Sequence, residues 1–482
     1  MSSAALRLTR RQALATAAVG AAGAAGLRVL AVHLSGGSAT TVSAAGPMGA
    51  WASPLGDSRA LAAHLLRRAG FAASAADLDH AASMSYDDLV DQVVGQHPDV
   101  PAAPADTVRY TAVSDWWYRH MATTTAQFPE RMTLFWHGLL TSDYRKSAQF
   151  PFMYQQNQLF RRLGTGDLRS LLLATTYDPA MVRYLDLEQS TAKAPNENYS
   201  RELMELFTLG PGKYTEADVR EGARAFSGIR IAAVDASGAP VSYARRKGMT
   251  QQQYLQQLTA LIGRGVSFRA AVTPRLHDGG AKTFLGHSGN LGPEQAVDAI
   301  LAQPACASFL ATRALTSFAV PQPSPALVDS VASQFRASHY DVRTLMRAIF
   351  RSEEFRAAAA YRSLVRSPAD YMVAVMRATG ETDLATACVQ AGPSMDQVLL
   401  DPPTVGGWPQ NAGWVSSSAV LARLNFAQSV VNRGGRLADA VEAVHTHLDG
   451  VVSSDTAAVF NASPTNSDRW YAILSSPEFH LK

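Results

Sequence analysis

Hydrophobic residues recur with the spacing of α-helices along most of the chain. Leu61, Leu65 and Ala69 fall on one face at i, i+4 and i+8, and Gly70 supplies a stop signal. Further segments with this pattern are bounded by Gly, Pro or a capping Ser. They lie at about 74–81, 86–94, 108–124, 150–163, 167–177, 179–187, 198–209, 215–227, 251–262, 293–302, 304–318, 324–337, 341–351, 367–379 and 418–432. The pattern therefore predicts a mainly α-helical fold.

One stretch departs from the helical pattern and is typical of a β-hairpin. Residues 229–234 and 240–243 have apolar and β-branched side chains, and an Asp-Ala-Ser-Gly turn separates them. Strand signals are almost absent elsewhere. We therefore expect residues 46–482 to form a single large multi-helix body with a small β-hairpin insertion at 228–245.

The first 45 residues have the pattern of an export signal. Arg10 and Arg11 precede a weakly apolar run of Ala and Gly at 13–27, and small residues at 42–45 offer a cleavage site. This arrangement resembles a twin-arginine signal peptide. Residues 1–45 are therefore predicted to bring the chain to the twin-arginine export machinery, and so to the periplasm, the cell wall or the cell exterior. The alternative is an amphipathic or disordered basic leader without a targeting role.

The apolar run of this leader is too short for a membrane anchor. Arg28 interrupts it before it reaches the roughly 18 residues that a membrane-spanning helix needs. We therefore expect no permanent membrane span. The twin-arginine route carries folded proteins, often with a cofactor inserted, which is compatible with a bound metal or organic group.

The composition is that of a globular protein. Of the 482 residues, 47% are hydrophobic and 17% are charged, which is ample to bury a core. The formal net charge of +3 is too small to favour a nucleic acid or a charged membrane surface as a partner. Cys306 and Cys388 are the only cysteines, which excludes a disulfide framework and leaves open either one bridge or two buried free thiols.

Several motifs along the chain resemble one family of bacterial proteins. The longest runs from Asn196 to Gly210 and reads Asn-Glu-Asn-Tyr-Ser-Arg-Glu-Leu-Met-Glu-Leu-Phe-Thr-Leu-Gly. Others are Phe-Trp-His at 135–137, His-Asp-x-Gly-x-Lys at 277–282 and Pro-Pro-x-Val-x-Gly-Trp-Pro at 402–409. With these motifs the chain is similar to the family catalogued as domain of unknown function 1800.

The resemblance implies an exported, largely helical protein whose chemistry is not established. Members are often encoded beside a second exported protein that resembles sulfatases, which makes such a protein a candidate partner. The family supplies no catalytic residue that could be carried over. This chain also departs from the family pattern, because Ile229 stands where tryptophan is common and Phe207 where many members have histidine.

The segment 198–209 is predicted to be a helix with one buried face. At about 100° per residue, Tyr199, Leu203 and Leu206 fall on the same side of such a helix. We therefore expect these three side chains to pack together in the core.

Polar and acidic residues follow one edge of this face. Asn198, Glu202 and Glu205 cluster there, and the i, i+3 spacing of the two glutamates lets them share a cation or a proton. With His137 or His277 from other segments, they would form a site for a divalent metal or for acid–base chemistry. The alternative is a structural role, in which the glutamates bind arginines or helix termini. No HExxH, CxxC, GxSxG or phosphate-loop motif narrows the reaction.

Each of the other candidate residues has two interpretations. His137 lies among large apolar residues, so it is either a metal ligand or a core histidine. In the loop 277–282, Asp278 and Lys282 either bind a ligand beside the loop histidine or clasp the loop in place. If Trp408 is exposed, it stacks on a sugar or a partner protein. If it is buried, it fills space inside the helical body.

Two functions fit these observations. The first is a metal-dependent enzyme or a metal-binding protein with a paired-glutamate site and an unknown reaction. The second is a non-catalytic secreted scaffold or assembly factor for an exported partner protein. A buried Glu202–Glu205 pair that faces a histidine would favour the first function, whereas satisfied carboxylates and an exposed apolar patch would favour the second.

Overall fold

The computed structural model describes residues 41–49, 52–147 and 151–482. Arg10 and Arg11, with the rest of the predicted signal up to residue 40, lie outside the described residues. α-Helices make up most of the described chain, which confirms the prediction of a mainly α-helical fold. Within these ranges, no helix has both the length and the apolar character needed to cross a membrane.

The first half of the described chain is a succession of short helices. Many begin at a side-chain cap: Asp57, Ser74 and Asp167 each accept a hydrogen bond from a backbone N–H in the first turn that follows. These helices are α1 (Ser58–Ala69), α2 (Ala75–Ala82), α3 (Tyr86–Val94), α4 (Tyr110–Thr123), α5 (Gln127–Leu139), α6 (Tyr144–Ser147), α7 (Phe152–Leu163), α8 (Leu168–Thr176), α9 (Pro179–Tyr184), α10 (Asn198–Glu202) and α11 (Glu216–Ala225). A π-helix, Leu203–Thr208, continues α10 without a break.

The second half is again helical. A capping serine followed by proline starts three of its helices, at Ser324, Ser367 and Ser476. The helices are α12 (Gln251–Gly263), α13 (Pro293–Ala302), α14 (Pro304–Phe318), α15 (Pro325–Ala337), α16 (Val342–Arg351), α17 (Glu353–Arg356), α18 (Pro368–Thr379), α19 (Ala385–Ala391), α20 (Ser417–Val431), α21 (Ala440–His447), α22 (Ser454–Ala462), α23 (Asn466–Ser475) and α24 (Pro477–His480).

Two small antiparallel sheets interrupt the helices. The strands are β1 (Ile229–Val234), β2 (Pro240–Val241), β3 (Ser267–Val272), β4 (Lys282–Phe284) and β5 (His287–Gly289). The predicted hairpin is confirmed as β1 and β2, and the first sheet has the order β2-β1-β3. The sequence pattern did not predict β3, because its Ser-Phe-Arg-Ala-Ala-Val sequence has one β-branched residue and hence a weak strand signal.

One hydrophobic cluster extends through the described chain from Val42 to Phe479. Its largest members, Trp117, Trp136 and Trp470, are at most 1% exposed. The cluster contains side chains from both strands β1 and β3 as well as from helices at both ends of the chain. The larger sheet therefore packs on the same core as the helices.

Some charged groups in this core are held in pairs. Arg67 of α1 makes two hydrogen bonds to Asp449, of 2.8 and 2.6 Å. Arg161 of α7 makes two to Glu130 of α5, each 2.7 Å long. Because an unpaired buried charge is costly, these pairs fix α1 to the C-terminal segment and α5 to α7.

The residues around the predicted cleavage site are bound to the C-terminal part of the chain. Val42 and Asn461 exchange two hydrogen bonds of 2.9 Å, and the Ala45 N–H donates to the carbonyl of Val452 over 2.8 Å. Cleavage after Ala44 or Ala45 would remove the Val42 contact from the mature protein.

Candidate functional site

The segment that carries the two glutamates is helical, but it changes type in the middle. Beyond α10, the N–H groups of Leu209 and Gly210 both donate to the carbonyl of Met204, at 2.8 and 3.0 Å. The bond from Leu209 spans five residues, so each turn holds more residues than in an α-helix. Side chains after residue 203 are therefore rotated relative to the α-helical expectation.

This rotation corrects the predicted apolar face. Tyr199 and Leu203 are buried as expected, whereas Leu206 is only partly buried. Met204 and Phe207 take its place in the core, each at most 1% exposed. The α-helical periodicity applied to the sequence was wrong here because it assumed 3.6 residues per turn throughout.

Glu202 and Glu205 lie close enough to interact electrostatically. Burial and the charge of Glu205 raise the pKa of Glu202, while Arg201 lowers it. Glu205 accepts a hydrogen bond from the hydroxyl of Tyr214. Within the described residues, the Glu202 carboxylate has no hydrogen bond or ion pair. The two acids therefore form a half-buried pair with one unsatisfied member.

His137 is a core histidine. Its ring lies edge-on between Trp117 and Trp408, with centroid distances of 5.4 and 5.1 Å. Its Nε2 accepts a hydrogen bond of 3.1 Å from the N–H of Leu400. Burial lowers the pKa of His137 to about 3, so the ring is neutral and its Nε2 lone pair is already used.

Hydrogen bonds hold the His277 loop against neighbouring segments of the chain. The Nδ1 of His277 lies 2.9 Å from the carbonyl oxygen of Ser227, and Asp278 binds Arg224 over 2.7 Å. The ammonium of the buried Lys282 donates to backbone carbonyls of the same loop, that of Gly280 at 3.0 Å. Asp278 and Lys282 therefore have partners that hold the loop, although the Lys282 partners are carbonyls and not a carboxylate.

The structure does not bring all four proposed metal ligands together. Across the described ranges, no group of three or more His, Cys, Asp or Glu side chains has the geometry to hold a metal ion. Only Glu202 and Glu205 remain as a possible pair, with Asn198 on the same helix. Metal binding by this pair therefore stays a prediction.

Trp408 is buried, as the second interpretation of its loop expected. Gly407 before it has a φ of +83°, and a side chain there would collide with the carbonyl oxygen of Gly138 at 2.2 Å. Only glycine allows this close approach. This close approach of Gly407 to α5 packs Trp408 against the helix. There, Trp408 contacts His137 and forms one wall of a cavity.

That cavity lies between α5, α14 and the segment 408–414. Its volume is about 110 Å³, and it is open to the surface. Side chains that combine positive charge, amide groups and indole rings line it: Arg131, Arg313, Trp408, Gln410, Asn411 and Trp414. The segment is anchored to α14, because Gln410 donates to Ser317 over 3.1 Å and Asn411 to the carbonyl of Thr316 over 3.3 Å.

The two arginines of the cavity differ in their surroundings. Arg131 pairs with Asp370 at 3.0 Å, and its guanidinium also lies over the ring of Phe71. Arg313 has no ion pair and its guanidinium makes no hydrogen bond within the described chain, although its Nε is fully enclosed. Burial alone lowers the pKa of Arg313, and no nearby carboxylate raises it. This cavity therefore holds a positive charge without a counter-charge.

The sequence carried one signal for Arg313. Residues 304–318 read Pro-Ala-Cys-Ala-Ser-Phe-Leu-Ala-Thr-Arg-Ala-Leu-Thr-Ser-Phe, in which Arg313 is the single charge of an apolar helix. A lone charge in such a helix is expected to have a partner or a function. The Trp408 motif, which comes from a distant part of the chain, could not be placed beside it without the tertiary structure.

Comparison with known proteins gives a family and no activity. No curated protein and no solved structure matches the chain. One family model, described as protein of unknown function (DUF1800), matches residues 64–481. This match covers the His277 loop, the glutamate helix and every residue that lines the cavity except Lys482. The chain therefore belongs to the DUF1800 family.

Proposed function

We propose that this chain is an exported protein that binds a small organic anion in the Arg313 cavity. The observation that supports it most is the half-buried guanidinium without a carboxylate partner. The guanidinium groups of Arg161 and Arg377, by contrast, have partners within the described chain, Glu130 for Arg161 and backbone carbonyls for Arg377. A ligand that supplies the missing negative charge accounts for the exception.

The side chains that line the Arg313 cavity indicate that its ligand carries a carboxylate. A guanidinium offers parallel N–H donors that match the two oxygens of a carboxylate, and such charge-assisted bonds are strong when shielded from water. Trp408 and Trp414 supply apolar surface for the rest of the ligand. The volume of about 110 Å³ is smaller than that of an engineered cavity of about 150 Å³ that holds benzene, so the cavity encloses the carboxylate and a few further atoms, and the rest of a larger ligand such as benzoate lies at its open side.

Export is the second part of the proposal. It is supported by Arg10 and Arg11 and by the weakly apolar run that follows them. The twin-arginine machinery is then one partner of the precursor. A co-encoded exported protein that resembles sulfatases is the candidate partner of the mature chain, as the family resemblance implies.

Titration of small anions into the purified chain tests the proposed ligand class. Sodium acetate, sodium benzoate and sodium sulfate are the probes, and calorimetry and tryptophan fluorescence are the readouts. Trp408 and Trp414 line the cavity, so an occupant should change their emission. We expect a carboxylate to bind, and Arg313→Gln to weaken its Kd at least about ten-fold, since a hydrogen bond to a charged group contributes about 1.5 to 3 kcal/mol.

Arg336→Gln is the matched control, because Arg336 is an exposed arginine on the neighbouring helix α15. It should leave the Kd unchanged. Failure of all three anions to bind at millimolar concentration would contradict the proposal. Equal binding by the wild type and Arg313→Gln would place the anion elsewhere and contradict it as well.

The glutamate pair supports a second candidate function, the binding of a divalent cation. The specific observation is the Glu202 carboxylate, which has a raised pKa and no partner within the described chain. Two carboxylates alone make a weak site, so the affinity would be low. Elemental analysis of protein purified after export should then find metal in the wild type and none in Glu202→Gln. Metal-free wild-type protein would leave the carboxylates a structural role.

A further inference from the structure

Strand β3 is an edge of the larger sheet, and one of its sides is unpaired. β1 covers the other side, with Ile229 opposite Val272 and Ile231 opposite Ala270. The N–H of Thr273 donates to the carbonyl of Gly228 over 2.8 Å. This bond determines the phase of the antiparallel ladder, that is, which residues of β3 direct their backbone groups toward β1. In that phase, Ala270 and Val272 direct their N–H and C=O groups away from β1.

These outward backbone groups have no partner. Within the described chain, no backbone or side-chain group forms a hydrogen bond with the outward N–H or C=O of Ala270 or Val272. Both residues are half-buried, so the groups are only partly accessible to water. An edge of this kind is a template for one more strand.

Two cavities line up along this edge. One, of about 510 Å³, is bounded by His277, Glu294 and Val272. The other, of about 540 Å³, is bounded by helix α7 and by Arg269. Both are lined by Ala270 and Tyr177, so the two cavities adjoin at the strand, and together they are called the groove. At about 3.3 Å per residue, the six residues of β3 span about 20 Å, the length of a bound strand.

The charges of the groove are unevenly placed. Arg162 and Arg269 line the larger cavity, are exposed and take part in no ion pair of the described chain. At the other end, the carboxylate of Glu294 accepts a hydrogen bond of 2.8 Å from the hydroxyl of Tyr177. The arginine end therefore complements a negatively charged occupant.

We propose that the free edge of β3 binds an extended acidic peptide segment of a partner protein as a fourth strand. The backbone groups of Ala270 and Val272 supply the main-chain hydrogen bonds, as in other complexes formed by strand addition. Arg162 and Arg269 select acidic side chains at one end of the segment. This site is separate from the Arg313 cavity, and neither proposal depends on the other.

Fluorescence anisotropy with labelled peptides tests this. The probe is a nine-residue peptide of alternating Val and Thr with two Asp residues at one end. The full chain should bind it, and a peptide with Lys in place of Asp should bind at least about ten-fold more weakly. A backbone N-methylated Asp peptide, which lacks the amide donors, should not bind.

Two variants of the chain locate the site. Ala270→Pro removes the outward N–H but leaves the ladder to β1, because position 270 makes no hydrogen bond to that strand; it should abolish peptide binding. Joint replacement of Arg162 and Arg269 by Glu should reverse the preference between the Asp and Lys peptides. Arg246→Glu, at an exposed arginine outside the groove, should change neither.

Several results would overturn the proposal. Circular dichroism and the unfolding midpoint establish that each variant folds. Undiminished binding by a folded Ala270→Pro variant would place the peptide elsewhere. Equal affinity for the Asp and Lys peptides would remove the selectivity for acidic segments. A dimer in sedimentation that Ala270→Pro dissociates would assign the edge to a second copy of the chain.

Discussion

Arg313 differs from the buried Arg161 and the half-buried Arg377 in what surrounds its charge. Arg161 binds Glu130. Burial raises the pKa of the Glu130 carboxyl, but the nearby guanidinium of Arg161 lowers it more strongly. The pKa of Glu130 therefore falls to about 2. Arg377 has no carboxylate but donates to several backbone carbonyls. The guanidinium of Arg313 has neither kind of partner in the described chain. At the residue scale, this difference is what indicates a ligand.

Asp178 provides a pH-dependent test of burial at a single residue. It accepts hydrogen bonds from Gln156 at 2.8 Å and from the N–H of Met181 at 3.1 Å, and no cation among the described residues is paired with it. Burial raises the pKa of Asp178 to about 7 in spite of these bonds. Burial and the charge of ionised Asp178 raise the pKa of the Tyr199 phenol, which is neutral near pH 7.

The sign of the effect follows from the raised pKa. Between pH 4 and pH 7 the folded state holds a proton that the unfolded state has released, so stability falls as the pH rises, by at most about 1.4 kcal/mol per pH unit. Asp178→Asn keeps a helix cap and removes the titration. Urea unfolding from pH 4.5 to 7.5 should therefore show a shallower decline for Asp178→Asn than for the wild type. Identical slopes would exclude the assigned pKa.

At the scale of elements, the π-helix decides which leucine of the glutamate helix belongs to the core. Leu203→Ala should cost about 2 to 5 kcal/mol of unfolding free energy, as for other large-to-small core changes. Leu206→Ala, at a half-buried position of the same segment, should cost less than about 2 kcal/mol. Denaturant unfolding of both variants measures the difference. Equal losses of unfolding free energy in the two variants would instead support the regular α-helical face that the sequence predicted.

Helices were the elements that the sequence predicted best. The segments 304–318 and 324–337 agree with α14 and α15 within one residue at each end, because apolar periodicity and Ser-Pro or Gln-Pro starts coincide. The π-helix was not predicted, since its wider turns come from hydrogen bonds that span five residues, whereas the sequence pattern was interpreted with 3.6 residues per turn. Strand β3 was not predicted from the sequence because its strand conformation depends on pairing with β1 and not on its own side chains.

At the scale of the whole molecule, residues far apart in sequence form the candidate sites. The Arg313 cavity combines α5, α14 and residues 408–414, and Trp408 joins it only through the close approach of Gly407 to α5. Sequence reasoning found the Trp408 motif and included its burial as one of two interpretations. It could not pair this motif with Arg313, since nothing local relates two segments about 100 residues apart.

The proposed export also concerns the whole chain, because the twin-arginine route carries folded proteins. Changing Arg10 and Arg11 together to Lys should leave the precursor in the cytoplasm, since the pair is the element that the exporter reads. Cell fractionation followed by immunoblotting measures this. A double mutant that still appears outside the cytoplasm in undiminished amount would refute the predicted route.

The stability of Arg313→Met, with and without benzoate, tests the central claim most directly. Without an anion, the variant should be as stable as the wild type or more stable, because it removes an enclosed charge that has no partner. Benzoate should stabilise the wild type as its concentration rises above Kd, by RT ln(1 + [L]/Kd), and should leave the variant unaffected. A variant that is less stable by more than about 2 kcal/mol, and that benzoate stabilises as much as the wild type, would show a structural arginine and contradict the proposed function.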